Sequence, residues 1–149
     1  MATSALVIVE PYASLIVSGA KTLELRSTTS HKVGQVIGII AKGTGTVIGV
    51  VRIDDVIGPV TRDELDELRH QHLASAEDLA AHPTWRFGWR LAGAIRFQHP
   101  VPYQHPMGAQ TYVTLSTTEA LAVHLAMAPA DVRGLLRRSQ AARDVADRR

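Results

Sequence analysis

Residues 17–27 read VSGAKTLELRS. Gly19 closes what comes before it. PYASLIV has Pro11 for a first helical turn, an apolar stripe of Tyr12, Leu15 and Ile16, and a glycine just past its end, which is the order a short helix uses. The residues after Lys21 alternate. Leu23 and Leu25 fall on one face of a strand, and Thr22, Glu24 and Arg26 on the other. The stretch therefore joins a helix to a strand and sets Lys21, Glu24 and Arg26 into an otherwise apolar run. Two readings compete. The three charges form a solvated ion-pair row, worth about 0–1 kcal/mol of stability, or they form the floor of a site.

Working outward, SALVIV (4–9) reads as a buried strand and STTSHKVG (27–34) as a polar loop. QVIGIIAK and TVIGVVRIDDVI read as two strands joined at KGTGT, with Gly38 and Gly49 marking bulges or bends. TRDELDELRHQH predicts one helix opened by a capping box of Thr61 and Glu64, and SAEDLAAH a second capped by Ser75. WRFGWRL and AIRFQHPVPY read as separate extended segments, and QTYVTL as a last strand. Helices of crossover length rarely separate these strands. The expected fold class is therefore α+β, a small curled or closed barrel with flanking helices rather than a doubly wound sheet. Past residue 116 the chain turns rich in Ala and Arg, with no strand signal. We read 1–116 as the barrel domain and 117–149 as a helical C-terminal extension of two helices broken near APA.

Composition narrows the classes. At 46% apolar and 20% charged, 149 residues can bury one core. With no cysteine, disulfides, thiolate metal sites and cysteine nucleophiles are excluded, and a reducing cytoplasm suits the chain. The first residues do not read as a signal peptide, and no apolar stretch reaches the roughly 18 residues of a membrane span. A net charge of +2 permits nucleic acid without demanding it. His70 and His72 do not share a helix face, and no metal motif or phosphate-binding glycine loop is present. No metal and no cofactor are expected.

The octet GAKTLELR (19–26), a Gly-x-Lys-x-x-Glu-x-Arg pattern behind a proline-led helix, resembles the ASCH domain of the PUA-like superfamily. TVIGVVRIDDV, WRFGWRL and VPYQHPMGAQTYVTL are similar to later segments of that family, so the resemblance covers roughly residues 5–115. It implies a PUA-like β-barrel with a cleft beside the first helix, and association with RNA or modified nucleosides. One branch resembles amidohydrolases of N4-acetylcytidine, and another shows metal-independent ribonuclease activity. The amidohydrolase branch carries Lys-x-x-Thr, whereas the third residue after Lys21 here is Glu24.

Each residue type suggests a role. Glu24 can accept hydrogen bonds from the exocyclic amine of an unstacked base. Arg26 can hold a phosphate or orient Glu24. Lys21 can reach phosphate or polarise a carbonyl, and Thr22 offers a hydroxyl. A ribonuclease would draw on Lys21 or Arg26 for charge and on Tyr12, His105 or Glu24 for proton transfer. Catalytic candidates are thus Lys21, Glu24 and Tyr12; ligand-binding candidates are Arg26, Glu10, Thr22 and His105. Glu10 can equally cap the first helix. Trp85, Phe87 and Trp89 alternate as a core face would, or as a base-stacking platform. A separate reading takes Ala122 to Leu135 as a helix-turn-helix-like pair, with Arg133, Arg137 and Arg138 facing DNA. Its alternative is a helical hairpin packed on the barrel.

Overall fold

The computed structural model describes residues 1–108 and 111–128. In chain order these give β1 (Ser4–Ile8), α1 (Tyr12–Val17), β2 (Leu23–Arg26), β3 (Val36–Ala41), β4 (Thr46–Ile57), α2 (Arg62–Glu67), α3 (Arg69–His72), α4 (Ala76–Ala81), β5 (Phe87–Pro102), β6 (Tyr112–Thr114) and α5 (Thr117–Ala126). The six strands form one mixed sheet in the order β2-β5-β4-β3-β1-β6, in which β1 and β3 run parallel and the other pairs antiparallel.

The sheet is a curled half-barrel. In a flat sheet β5 and β6 would stand four strand spacings apart, about 19 Å. Instead the rings of Trp89 on β5 and Tyr112 on β6 stack with centroids 6.2 Å apart. The curl also turns β2 toward β1, so that an Arg26 guanidinium N–H reaches the Val7 carbonyl at 3.4 Å. An open seam between β1 and β2 is what remains of the barrel's closure.

Register shifts supply the bend. They fall between Ile39 and Ile40 on β3, and at three places along the β4–β5 ladder, one of them between Val47 and Gly49. A Cβ at Gly49 would lie 2.3 Å from the Ile95 carbonyl oxygen and 2.7 Å from Val17 Cγ1. Only glycine lets β5 and α1 approach β4 there.

Two local expectations change. The extended segments 85–91 and 94–103 merge into one 16-residue strand, β5, whose shifted register absorbs the curvature. The helix expected over 61–72 breaks at Leu68, whose φ of −92° and ψ of 9° leave the helical region. Both expected caps form. Thr61 and Glu64 complete a capping box, and the Ser75 hydroxyl accepts from the Asp78 N–H.

Three apolar clusters result. One fills the concave side, from Leu6 and Ile16 to Ile53 and Trp89. A second joins β1, β4 and β5 to α5 through Ala120 and Val123. The third packs Leu23 and Leu25 of β2 against Leu65, Ala74 and Leu79 of the α2–α4 segment. α5 thus packs on the sheet, as the helical-hairpin alternative requires of its first helix. The second helix of the DNA-binding reading, with Arg133, Arg137 and Arg138, lies outside the described residues.

Candidate functional site

β2 has two different faces, as its alternation implied. Leu23 and Leu25 are buried against α2–α4. Glu24 and Arg26 turn toward the seam, where they line a cavity of about 240 Å³ with Val7, Ile8, Val9, Tyr12, Leu25, Lys42 and Trp85. β1 forms one wall, β2 the other, α1 delivers Tyr12, and Lys42 comes just after β3.

Glu24 is 8% exposed and is held from both sides. Its Oε2 accepts from Arg26 at 3.1 Å, and its Oε1 lies 3.7 Å from the Lys21 ammonium. A carboxylate has about four acceptor positions, so capacity is left for a ligand. Arg26 lies over the Trp89 ring, 5.6 Å from its centroid, and its buried Nε–H has no hydrogen-bond partner. An unmet donor on a cavity-lining residue stands out, because buried polar groups are nearly always satisfied.

Lys21 departs from the expected role of a mobile ammonium. Only 3% exposed, it sits behind Glu24, outside the lining of the cavity. The reason is the insert α2–α4, which covers it. Its ammonium donates to the His72 carbonyl at the end of α3 and lies 5.0 Å from the Tyr12 ring centroid. Terminal helix carbonyls lack intrahelical donors, and Lys21 supplies one. Burial pushes the lysine below its ordinary pKa of 10.5, with Glu24 opposing that shift and Arg26 adding to it. His72 is wholly buried beneath, its Nε2 2.7 Å from the Leu65 carbonyl and its Nδ1 accepting from the Ala74 N–H.

Tyr12 presents its ring to the cavity while its hydroxyl donates to Asp78 on α4 and accepts from the Ser75 N–H at 3.4 Å. Burial and the Asp78 carboxylate both raise the phenol above its usual 10.0. The other three candidates stand apart from the lining. Glu10 takes the capping role: its carboxylate accepts from the Ser14 N–H at 2.8 Å and the Ser14 hydroxyl at 2.5 Å. Thr22 is exposed, and its carbonyl accepts from the Leu91 N–H at 2.9 Å. His105 lies just past β5, its Nδ1 3.0 Å from the Tyr103 hydroxyl. The aromatic stripe also divides. Trp89 is core, whereas Trp85 precedes β5 and stays half-buried at the cavity.

Three contributors were not read from sequence: His72, Asp78 and Lys42. Their signals are a histidine at the end of a helical pattern, an acid three residues after a serine cap, and a lysine opening a turn. All are common and carry no address. Among the described residues, no three His, Cys, Asp or Glu side chains gather as a metal site, and no helix is long and apolar enough to cross a membrane.

The family model for the ASCH domain matches residues 6–101, which include every cavity-lining residue. Solved structures of an ASCH protein from Zymomonas mobilis are similar in fold. A serine-to-alanine mutant of it superposes with a TM-score of 0.67 at 16% identity, over 81% of this chain and 93% of that one. The unmutated protein gives 0.64 at 17% identity, over 79% and 90%. A tyrosine-to-phenylalanine mutant gives 0.66 at 17%, over 81% and 95%. None of the curated proteins matches this chain.

Proposed function

The chain belongs to the ASCH domain family, a PUA-like fold often linked to RNA binding, and we propose that its β1–β2 seam binds an unstacked RNA base or a modified nucleoside. One observation carries this reading. Glu24 and Arg26 project from a single face of β2 into a cavity walled by Tyr12 and Trp85, with acceptor capacity left on Glu24 and a half-buried guanidinium beside it. A carboxylate suits an exocyclic amine, a guanidinium suits a carbonyl or phosphate oxygen, and aromatic walls suit a base face. At about 240 Å³ the cavity falls below the roughly 300–1,000 Å³ of drug-sized sites. That size fits one base and excludes a duplex. Lys42 at the rim adds a cation for phosphate.

Titrating cytidine, adenosine, N4-acetylcytidine and uridine tests it. Nucleosides with an exocyclic nitrogen bind more tightly than uridine, and Glu24→Gln erases that preference. A well-placed polar pair is worth about 1–3 kcal/mol, or about 5- to 150-fold. Equal affinities in both proteins, or no binding of these nucleosides or of short RNAs that carry them, would sink the proposal.

Hydrolysis is the second reading, and a carboxylate and a guanidinium that line one cavity together favour it. In a metal-independent ribonuclease, Arg26 would face the charge developing on phosphorus, and Glu24 would take the 2′-hydroxyl proton, with Lys21 holding the carboxylate from behind. The amidohydrolase reading has less support, because Glu24 stands where that branch has threonine and Thr22 does not line the cavity. Incubation with short RNAs and with N4-acetylcytidine at stoichiometric protein separates these cases. A binder yields no product, and a catalyst yields one that Arg26→Ala suppresses.

A further inference from the structure

We infer that the ligand is a nucleotide within a single strand rather than a free nucleoside, and that a second cavity beside Trp85 takes the neighbouring nucleotide. This rests on the seam as a base-binding site and extends it to a site of its own. The second cavity, about 540 Å³, runs between the start of α2 and the segment before β5. Arg62, His82 and Arg86 line it with Val60 and Leu65, and no carboxylate is among its lining residues.

Two features tie it to the seam. Trp85 lines both cavities. Arg26 of the first pairs across the β2–β5 ladder with Phe87, the residue next to Arg86 of the second. A chain leaving the seam past Trp85 therefore enters the cavity that Arg86 lines. His82 stacks on Trp85 with centroids 4.0 Å apart and planes 4° from parallel, which braces the indole that the two spaces share. Arg62 spends one donor on the Leu79 carbonyl at 3.2 Å and keeps the rest of its five N–H groups. Arg86 is exposed, and its carbonyl holds Val60 in place at 2.7 Å. Paired cations beside an aromatic ring, continuous with a base-sized hollow, are what a single strand requires: charge along its backbone and a π-face for its bases. A free nucleoside would leave this second cavity without use.

The test compares ligand lengths on the full chain. Adenosine, cytidine and uridine are each titrated against their own tetraribonucleotide, in the wild type and in an Arg62→Ala/Arg86→Ala double variant. The expected result is that a tetranucleotide binds at least tenfold more tightly than its nucleoside. In the double variant that advantage is lost, and nucleoside affinity stays within twofold. The salt dependence should also flatten, by about 1.4 in the slope of log K against log salt for two lost single-strand phosphate contacts. If nucleosides bind and length adds nothing, or if the double variant loses nucleoside and tetranucleotide equally, the second cavity is overturned and the seam stands. If nothing binds, both readings fall together. Should only the tetranucleotide bind, and the double variant abolish it, the strand assignment holds. Circular dichroism of the double variant, expected to match the wild type, shows that any loss is local.

Discussion

Two strands of this molecule carry an arginine and a carboxylate two residues apart. On β2 they are Glu24 and Arg26; on β4 they are Arg52 and Asp54. As sequence the two are near-mirror images, and both make an ion pair. The β4 pair has the shorter contact, 2.5 Å against 3.1 Å, with side chains 48% and 42% exposed against 23% and 10% on β2. Contact length is therefore a poor guide to importance. On β4 water competes for every charge and the pair is a surface detail. On β2 the insert α2–α4 covers one face, the curled sheet closes over the other, and a third charge, Lys21, is drawn in behind. Burial turns the same pattern into a fixed electrostatic device.

The largest expected effect comes from breaking that device at its most buried member. Lys21→Ala removes the cation behind Glu24 and leaves the His72 carbonyl without its donor. Removing one partner of a buried pair costs about 3–5 kcal/mol, a large part of the 5–15 kcal/mol that holds most domains together. Urea unfolding should show a midpoint far below that of the wild type. Lys21→Met combined with Glu24→Leu and Arg26→Met should recover much of the loss, because all three charges of the network are then removed together. A triple variant no more stable than Lys21→Ala would contradict this account.

Next in size is the indole that the two cavities share. Trp85→Ala removes a wall of the seam, and stacking on an aromatic is worth about 1–3 kcal/mol per base. Short RNA should bind about 5- to 150-fold more weakly, and the unfolding midpoint should fall less than in Lys21→Ala, because Trp85 is half-buried against the Leu23 and Leu79 cluster. Undiminished affinity would show that no base rests on this ring.

The ground beneath Lys21 gives a third test, through pH. Burial holds His72 below its ordinary 6.5, and the nearby Lys21 charge adds to that. The unfolded chain therefore binds a proton, as pH falls through 6.5, that the folded chain refuses. The His72 contribution should be constant between that value and neutral pH and should decline below it. The slope is at most about 1.4 kcal/mol per pH unit for one proton. Unfolding curves between pH 5 and 7 measure it, and His72→Gln should remove the slope. A wild-type profile that is flat down to pH 5 would contradict the assignment.

Much of the fold was legible in the sequence because it is local. Turn glycines, capping serine and threonine, and period-two alternation placed the strands, the caps of α2 and α4, and the two faces of β2. The family pattern in residues 19–26 supplied the barrel. The break at Leu68 was hidden, since Leu68 fits the helical stripe on either side of it. The fate of Lys21 was also hidden. Its spacing from Glu24 is visible, yet its burial depends on a segment some 50 residues later folding back to offer the His72 carbonyl. Glu10 had two roles open to it, and only the hydrogen bonds to Ser14 show that it caps α1. Residue type states what a side chain can do, whereas the solvent it loses is decided by distant sequence.

The smallest expected effect completes the comparison from its exposed side. Arg52→Ala, Asp54→Ala and the double change each disrupt the β4 pair at positions where water replaces the lost partner. The mutual pull of the two charges is real: Arg52 holds the Asp54 carboxyl below its usual range, and Asp54 raises the guanidinium. That attraction is screened by salt and offset by the entropy of fixing two long side chains. The unfolding midpoints of all three variants should therefore match the wild type, and a double-mutant cycle should return no coupling at physiological salt. RNA affinity should not change either, because neither residue lines the seam or the cavity beside Trp85. A cycle that returned as much coupling on β4 as on β2 would show that contact length governs these pairs after all, and the contrast drawn between the two strands would fail.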